Sequence, residues 1–245
     1  MIKFGDGEVC LSVENQVIAS GRCKIYDFLI FIDSRGLVSI QDHSNSYVKL
    51  LMKYLKIKKL NYLIVSRPKN LTIFATLYNF LKINIDLKFK KLITNLGFVD
   101  FTPKKESNIR DNQIQLKKFF SEEKSILQHE NYKLSNGEFE LLKSIKYSEY
   151  YKKKLMKYFL IRFEKLYFLN TPLINKDKNI NRERPKSFFK QLEVTNNFLN
   201  DLVKQNRKKS KLIDIMKEKI TYDGVHYTPD GHLKIFNKIK KLIDV

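Results

Sequence analysis

The sequence predicts a single α/β domain over residues 1–245, built on a mostly parallel β-sheet. Short apolar runs, typical of strands buried on both faces, alternate with segments whose apolar residues recur at helical spacing. This alternation implies crossover connections between parallel strands. With 43% apolar residues in 245, the chain can bury one large core and is too apolar for the disordered class.

The alternation is clearest at the two ends of the chain. We predict strands at residues 26–32, 62–65, from 92, 165–169 and 212–216, and helices at residues 44–56, 71–81 and 187–205. A C-terminal helix carries Leu233, Ile235, Phe236, Ile239 and Leu242 on one stripe, and His232 at its start is expected to be structural.

Two segments fall outside this plan. Glycine-punctuated, alternating residues within 1–24 predict a small N-terminal β-ribbon. Residues from about 104 to 160 are rich in Lys, Glu, Ser and Tyr, and they predict an inserted helical region in which 138–145 is one helical patch. We expect both segments to be additions to the single domain.

The net charge of +21 and a pI near 9.7 raise nucleic acid and anionic surfaces as partners. Only eight of the 47 basic residues are arginine, the side chain best suited to bidentate contacts with phosphates and bases. A compositionally biased genome also produces such lysine richness without a ligand. Nucleic-acid binding therefore ranks last among the functions that we consider.

The cysteines and the hydropathy suggest a location. Cys10 and Cys23 are the only cysteines, too few for a disulfide framework or a zinc site. No apolar stretch approaches the roughly 18 residues of a membrane span. We therefore expect a cytoplasmic protein with no metal and no cofactor, although attachment to a membrane surface through lysines stays open.

The strongest chemical signal is Asp223-Gly-Val-His226, just before the C-terminal helix. An aspartate three residues ahead of a histidine can accept the Nδ1 proton and leave Nε2 facing a nucleophile. The alternatives are structural: Asp223 caps a turn, and His226 is a packed core residue. Ser34, which follows the strand at 26–32, could likewise be a turn or helix-capping serine.

These two segments resemble motifs of the SGNH (GDSL-like) hydrolases. That family's nucleophile lies in a Gly-Asp-Ser motif after the first parallel strand, and Ile32-Asp33-Ser34 matches it at Asp and Ser. The family's Asp-x-x-His block precedes the last helix, as Asp223 and His226 do. The resemblance covers about 25–103 and 165–245, and it implies a three-layer, flavodoxin-like fold with Ser34 as nucleophile, His226 as base and Asp223 as its orienting partner.

The resemblance also implies an oxyanion hole, where the match is incomplete. The family's Gly-x-Asn-Asp block aligns with residues 97–100, so Gly97 and Asp100 match, but Val99 replaces the asparagine that donates to the oxyanion. The second block should supply a glycine N–H, which the loop 66–70 lacks; Ser66 or Asn70 could substitute. Since each missing donor typically costs about 10²–10³ in rate, two missing donors would leave a slow enzyme.

The function that follows is a serine esterase acting on a small-molecule or carbohydrate ester, with a sugar O-acetyl ester preferred by resemblance. Two alternatives use the same scaffold. An acyltransferase would share the acyl-enzyme and differ in the acceptor. A binding or assembly protein would keep the fold with a weakened oxyanion hole.

Overall fold

The structure is a computed structural model that describes residues 16–21, 23–36, 45–67, 71–120, 127–133, 138–174 and 187–244. Its strands are β1 (Gln16–Ala19), β2 (Ile25–Ile32), β3 (Tyr62–Ser66), β4 (Lys88–Thr94), β5 (Lys104–Lys105), β6 (Leu127–Lys133), β7 (Phe139–Ile145), β8 (Lys165–Leu169) and β9 (Ser210–Ile213). Its helices are α1 (Tyr47–Ile57), α2 (Phe74–Ile83), α3 (Phe98–Phe101), α4 (Glu106–Phe120), α5 (Glu149–Arg162), α6 (Ser187–Gln205) and α7 (Pro229–Ile243).

The main sheet has six strands in the order β1-β3-β2-β4-β8-β9. Five of them are parallel, and β1 joins the edge strand β3 in antiparallel orientation. The parallel strands alone follow the order 2-1-3-4-5, which is that of doubly wound, flavodoxin-like sheets. The predicted α/β fold with a mostly parallel sheet is therefore confirmed.

Helices cover both faces of this sheet, which makes three layers. Alternate residues of β2 point to opposite sides: Phe28, Ile30 and Ile32 pack with α1 and α7, whereas Leu29 and Phe31 pack with α2, α5 and α6. All five side chains are 0% exposed. A strand buried on both faces reads as a continuous apolar run, which is why this strand could be predicted from the sequence.

Capping side chains fix where α1 and α7 begin. Ser46 accepts a hydrogen bond from the N–H of Lys49 at 3.2 Å, and Thr228 accepts one from the N–H of Gly231 at 3.1 Å. Pro229, at the first position of α7, leaves no unpaired N–H there. The Nδ1 of His232 accepts a hydrogen bond from the N–H of Tyr47 at 3.2 Å, so the two helices are joined where they begin.

The prediction of a helical insertion is wrong in part. The helices α4 and α5 are present, but the segment also forms a second sheet in the order β5-β7-β6. In the chain, β5 precedes α4, and β6 and β7 lie between α4 and α5. Residues 138–145, predicted as helical, contain β7 instead. Leu141, Leu142 and Ile145 fit helical spacing, but so short a run does not distinguish the helical period from the strand period. The segment forms a strand because it pairs with β6 in antiparallel orientation.

The predicted N-terminal ribbon lies mainly outside the described residues. Its described strand, β1, pairs with β3, so this part belongs to the main sheet and not to a separate ribbon. Elsewhere the predicted helices and strands are present, but their first and last residues differ from the predicted ones. For example, β4 begins at Lys88 and not at Leu92. Among the described residues, no helix is both long and apolar enough to cross a membrane.

Candidate active site

Polar side chains collect at the carboxyl edge of the main sheet. The parallel strands are followed there by Asp33, Arg67, Asn95, Asn170 and Asp214. Parallel α/β sheets bind their ligands at this edge, since the connections that diverge around it leave a crevice. The predicted nucleophile and the predicted base both belong to connections at this edge.

Asp223 and His226 form a pair held by their own loop. Asp223 Oδ2 lies 2.7 Å from His226 Nδ1, and its Oδ1 accepts from the N–H groups of Val225 at 2.9 Å and His226 at 2.7 Å. Burial opposes ionisation of Asp223, but these hydrogen bonds outweigh burial and hold its pKa below the ordinary value. The carboxylate thus stays charged beside the imidazole.

The backbone of this loop is tightly closed. Thr221 and Tyr227 form an antiparallel bridge, and the N–H of Tyr222 donates to the carbonyl of His226 at 3.1 Å. Gly224 has a φ of +81°, and a Cβ there would lie 2.9 Å from Ile174 Cδ1. Glycine is the residue that adopts this conformation without strain. The ring of Tyr222 stacks on that of His226, with the ring centroids 6.0 Å apart.

Ser34 begins a short 3-10 helix, Ser34–Gly36, directly after β2. Its side chain is half-buried. Within the described part of the chain, neither its hydroxyl nor the Nε2 of His226 makes a hydrogen bond. The next residues connect the two segments: the guanidinium of Arg35 lies 5.9 Å from the ring centroid of Tyr227, which follows His226. The chain therefore brings positions 34 and 226 to the same end of the sheet.

Beneath Ser34 lies a buried ion pair. Arg35 Nη2 is 2.7 Å from Asp33 Oδ2, and both side chains are 1% exposed. Asn95 binds the same aspartate twice, since its Nδ2 donates to Asp33 Oδ1 at 2.9 Å and its Oδ1 accepts from the N–H of Asp33 at 2.8 Å. The ends of β2 and β4 are thereby locked together under the serine.

The same arginine extends the network to β8. Its Nη1 donates to Thr171 Oγ1 at 3.2 Å, and its Nη2 donates to the carbonyl of Asn95 at 2.6 Å. Thr171 is held in turn by Asn196 of α6. The side-chain oxygen of Asn196 accepts from the N–H of Thr171 at 2.9 Å, and its Nδ2 donates to the carbonyl of Thr171 at 2.8 Å. Three strand ends are thus connected through one guanidinium.

No family model and no curated protein matches this sequence, whereas solved structures do. The acetyl xylan esterase AlAXEase superposes with a TM-score of 0.53 at 12% identity, over 88% of this chain and 98% of that chain. A catalytic mutant of the acetylxylan esterase Axe2 from Geobacillus stearothermophilus gives 0.53 at 10% identity, over 90% and 94%. The chain has the fold of these esterases. The fold that the SGNH resemblance implied is thereby confirmed.

Asp100 is buried in α3, the short helix that follows β4. It is 0% exposed and accepts hydrogen bonds from the N–H of Phe74 at 3.0 Å, the N–H of Gly97 at 3.1 Å and the hydroxyl of Tyr147 at 2.7 Å. Gly97 has a φ of +111°, and its N–H is occupied by this carboxylate. The block 97–100 is thus closed on itself and tied to α2.

Burial raises the pKa of Asp100 from 3.8 to about 6, against the lowering effect of its hydrogen bonds. The folded protein therefore holds this proton more tightly than the unfolded chain, so the contribution to stability is largest below pH 4 and falls as the pH rises to 6. We expect the free energy of unfolding of the wild type, relative to Asp100→Asn, to drop by about 2 kcal/mol between pH 4 and pH 6. Urea unfolding at a series of pH values measures it; a constant difference would contradict the prediction.

Of the remaining oxyanion candidates, Ser66 lies at this edge. Ser66 ends β3 and is 0% exposed, and Val99, in the place of the family's asparagine, is 7% exposed. The side-chain amide of the nearby Asn95 is bound to Asp33, so it is not available in place of the missing asparagine. Asn70 lies outside the described residues.

The buried network of Arg35, Asn95, Thr171 and Asn196 was not predicted from the sequence. One signal was present: Arg35 directly follows the candidate nucleophile in a chain that uses lysine for most of its positive charge. A guanidinium at a strand end can satisfy several carbonyl and carboxylate groups at once, which an ammonium group does less well. Thr171 and Asn196 carry no comparable signal, because 25 residues separate them.

Proposed function

We propose that the protein is a serine-dependent ester hydrolase with Ser34 as nucleophile, His226 as general base and Asp223 as its orienting carboxylate. The observation that carries the proposal is the Asp223–His226 pair, 2.7 Å apart. It stands at the same sheet edge as a serine whose hydroxyl has no partner among the described residues. A base with a fixed tautomer and a free serine are the two parts that acyl transfer needs.

The reaction follows from these positions. Asp223 holds the Nδ1 proton of His226, so Nε2 takes the proton of Ser34 as Oγ attacks the ester carbonyl carbon. The tetrahedral intermediate collapses when Nε2 returns that proton to the leaving alcohol. Water, deprotonated by the same nitrogen, then attacks the acyl-enzyme and releases the carboxylic acid and free Ser34.

The first oxyanion donor that we propose is the N–H of Ser34, which starts its 3-10 helix and has no acceptor within the described residues. Ser66, Asn70 and the turn at Gly97 stay as candidates for the second donor. We assign Asp100 the role of holding that turn, because its carboxylate is enclosed by three donors. Preorganised donors of this kind stabilise the developing charge on the ester oxygen.

The structural neighbours support an ester substrate. Both are acetyl xylan esterases, and catalytic mutants of Axe2 replace a serine, a histidine and an aspartate that stands three positions before the histidine. Asp223 and His226 have this same spacing. We therefore propose an O-acylated carbohydrate as substrate, with acetyl as the acyl group.

A fluorophosphonate probe tests the proposal, because it labels only a serine that a neighbouring base activates. We expect the probe to label the wild type and a small acetyl ester to be hydrolysed, with both lost in Ser34→Ala. Ser148→Ala is the matched control, since Ser148 is exposed and its side chain caps nothing. Equal labelling of Ser34→Ala would contradict the assignment.

One observation favours a second candidate, a binding protein on the same scaffold. The side chain of Val99 has no hydrogen-bond donor for an oxyanion, and the side-chain amide of Asn95 is bound to Asp33. If folded wild-type protein takes up no probe and hydrolyses no ester, this second function replaces the first.

A further inference from the structure

We propose that the amino edge of the main sheet, opposite the candidate active site, is a docking surface for anionic phospholipid bilayers. A cleft of about 490 Å³ opens there between the starts of β2, β4 and β8 and the C-terminal end of α5. We call it the amino-edge cleft. It shares no residue with the candidate active site, and the proposal is independent of the proposed hydrolysis.

Three isoleucines stand at the amino-edge cleft with their side chains in water. Ile25 is 53% exposed, Ile85 61% and Ile161 72%. Single exposed apolar residues are common on proteins, but several around one cleft mark an interaction site. Leu87, Phe89 and Phe163 continue this surface into the cleft. Three side chains that could enter a bilayer are therefore grouped at this edge.

Basic residues outnumber acidic ones along the amino edge. Five described connections lead into the parallel strands. Together with the first residue of each strand, they are residues 20–21, 23–25, 58–62, 84–88, 163–165 and 206–210. They hold two acidic residues, Asp86 and Glu164, and eight basic ones: Lys24, Lys58, Lys59, Lys88, Lys165, Arg207, Lys208 and Lys209. The ratio of basic to acidic residues is therefore four to one at this edge, higher than the ratio of 47 to 26 in the whole chain.

Several of these charges are free for a partner. Within the described residues, the ammonium groups of Lys24, Lys88 and Lys208 make no hydrogen bond or ion pair. Arg162, inside the cleft, is instead occupied, because its Nη2 donates to the carbonyls of Asn84 and Leu87. Lys88 lines the amino-edge cleft, and Lys24 and Lys208 are chain neighbours of its lining residues Ile25 and Lys209. These ammonium groups, which we call the rim charges, can meet phosphate groups while the isoleucines point to the acyl chains.

The isoleucines favour a bilayer over a nucleic acid as the partner of this edge. Both are polyanions, and lysines serve either of them. Branched aliphatic side chains, however, have no acceptor or donor for phosphates and no flat face on which bases stack. In a bilayer the same side chains leave water for the boundary between headgroups and acyl chains, which is favourable.

A single tryptophan can report insertion, since the chain has none. We expect Ile161→Trp to shift its emission to shorter wavelength, and to be quenched by brominated lipid, on vesicles of phosphatidylcholine containing phosphatidylglycerol. Pure phosphatidylcholine should give no shift. The control is Leu233→Trp, which is 46% exposed at the start of α7, at the opposite edge, and should not respond.

Removing the rim charges tests the electrostatic part. Vesicle cosedimentation of the triple variant Lys24→Gln, Lys88→Gln, Lys208→Gln should show about fivefold weaker binding for each lysine, roughly a hundredfold in all. The matched control changes Lys117, Lys153 and Lys219, which are exposed and unpaired within the described residues, and should bind as the wild type does. Added salt should weaken wild-type binding.

Four outcomes would overturn the proposal: no binding of wild type to the anionic vesicles, equal losses in both triple variants, a response of Leu233→Trp without one of Ile161→Trp, or an oligonucleotide that binds more tightly than the vesicles and displaces them. Equal losses would mean that diffuse lysine charge, and not this edge, attracts the membrane. Circular dichroism of every variant keeps misfolding apart from lost binding.

Discussion

Asp223→Asn is expected to lower kcat for ester hydrolysis by about 10⁴ while leaving the fold intact. The amide oxygen can still accept from the N–H groups of Val225 and His226, as Oδ1 does now. The amide nitrogen, in the place of Oδ2, would donate to Nδ1 of His226. The proton would then sit on Nε2, which could no longer take one from Ser34.

Steady-state kinetics on a small acetyl ester measure this loss. Asp230→Asn is the control, since Asp230 is an exposed aspartate at the start of α7 with no hydrogen bond among the described residues. It should keep wild-type kcat. An unchanged kcat in Asp223→Asn, with Ser34→Ala inactive, would show that another group orients the base.

Arg35→Met should cost about 3–5 kcal/mol of the free energy of unfolding. The substitution removes the only cation from a side-chain pair that is 1% exposed on both sides, and it leaves the Asp33 carboxylate in the protein interior. It also removes the donors to Thr171 and to the carbonyl of Asn95. An uncompensated buried charge is among the few causes of so large an effect.

Urea denaturation followed by circular dichroism gives the value, and Arg207→Met, at an exposed arginine, should change it by less than about 0.5 kcal/mol. The double variant Asp33→Asn, Arg35→Met should be more stable than Arg35→Met alone, because the buried charge is gone. It also remains measurable if the single variant does not fold. A loss below about 1 kcal/mol in Arg35→Met would mean that water reaches Asp33, contrary to its burial.

The main sheet could be predicted because the apolar pattern that marks each strand lies within that strand's own sequence. Strands such as β2 and β8 are buried on both faces, and therefore appear as apolar runs whatever their partners are. The second sheet could not be predicted from apolar spacing alone. Asn136-Gly137, between β6 and β7 in the chain, is a strong sequence signal for a hairpin, and weighing it would have favoured strands at 139–145.

The candidate site likewise has one part that could be predicted from the sequence and one part that could not. Asp223 and His226 are three residues apart, and their hydrogen bond follows from a single loop. The bonds of Arg35 reach Asn95 and Thr171, 60 and 136 residues away, and depend on the finished order of strands. No pattern in the sequence states which strand ends become neighbours at that distance.

The order of the chain has a consequence for synthesis on the ribosome. Ser34 is made long before Asp223 and His226, and the His232 acceptor for Tyr47 follows them. A growing polypeptide therefore carries the serine with no base beside it until residues 223–226 have been made. The proposed triad can assemble only after that point, so a chain interrupted before residue 226 cannot attack an ester.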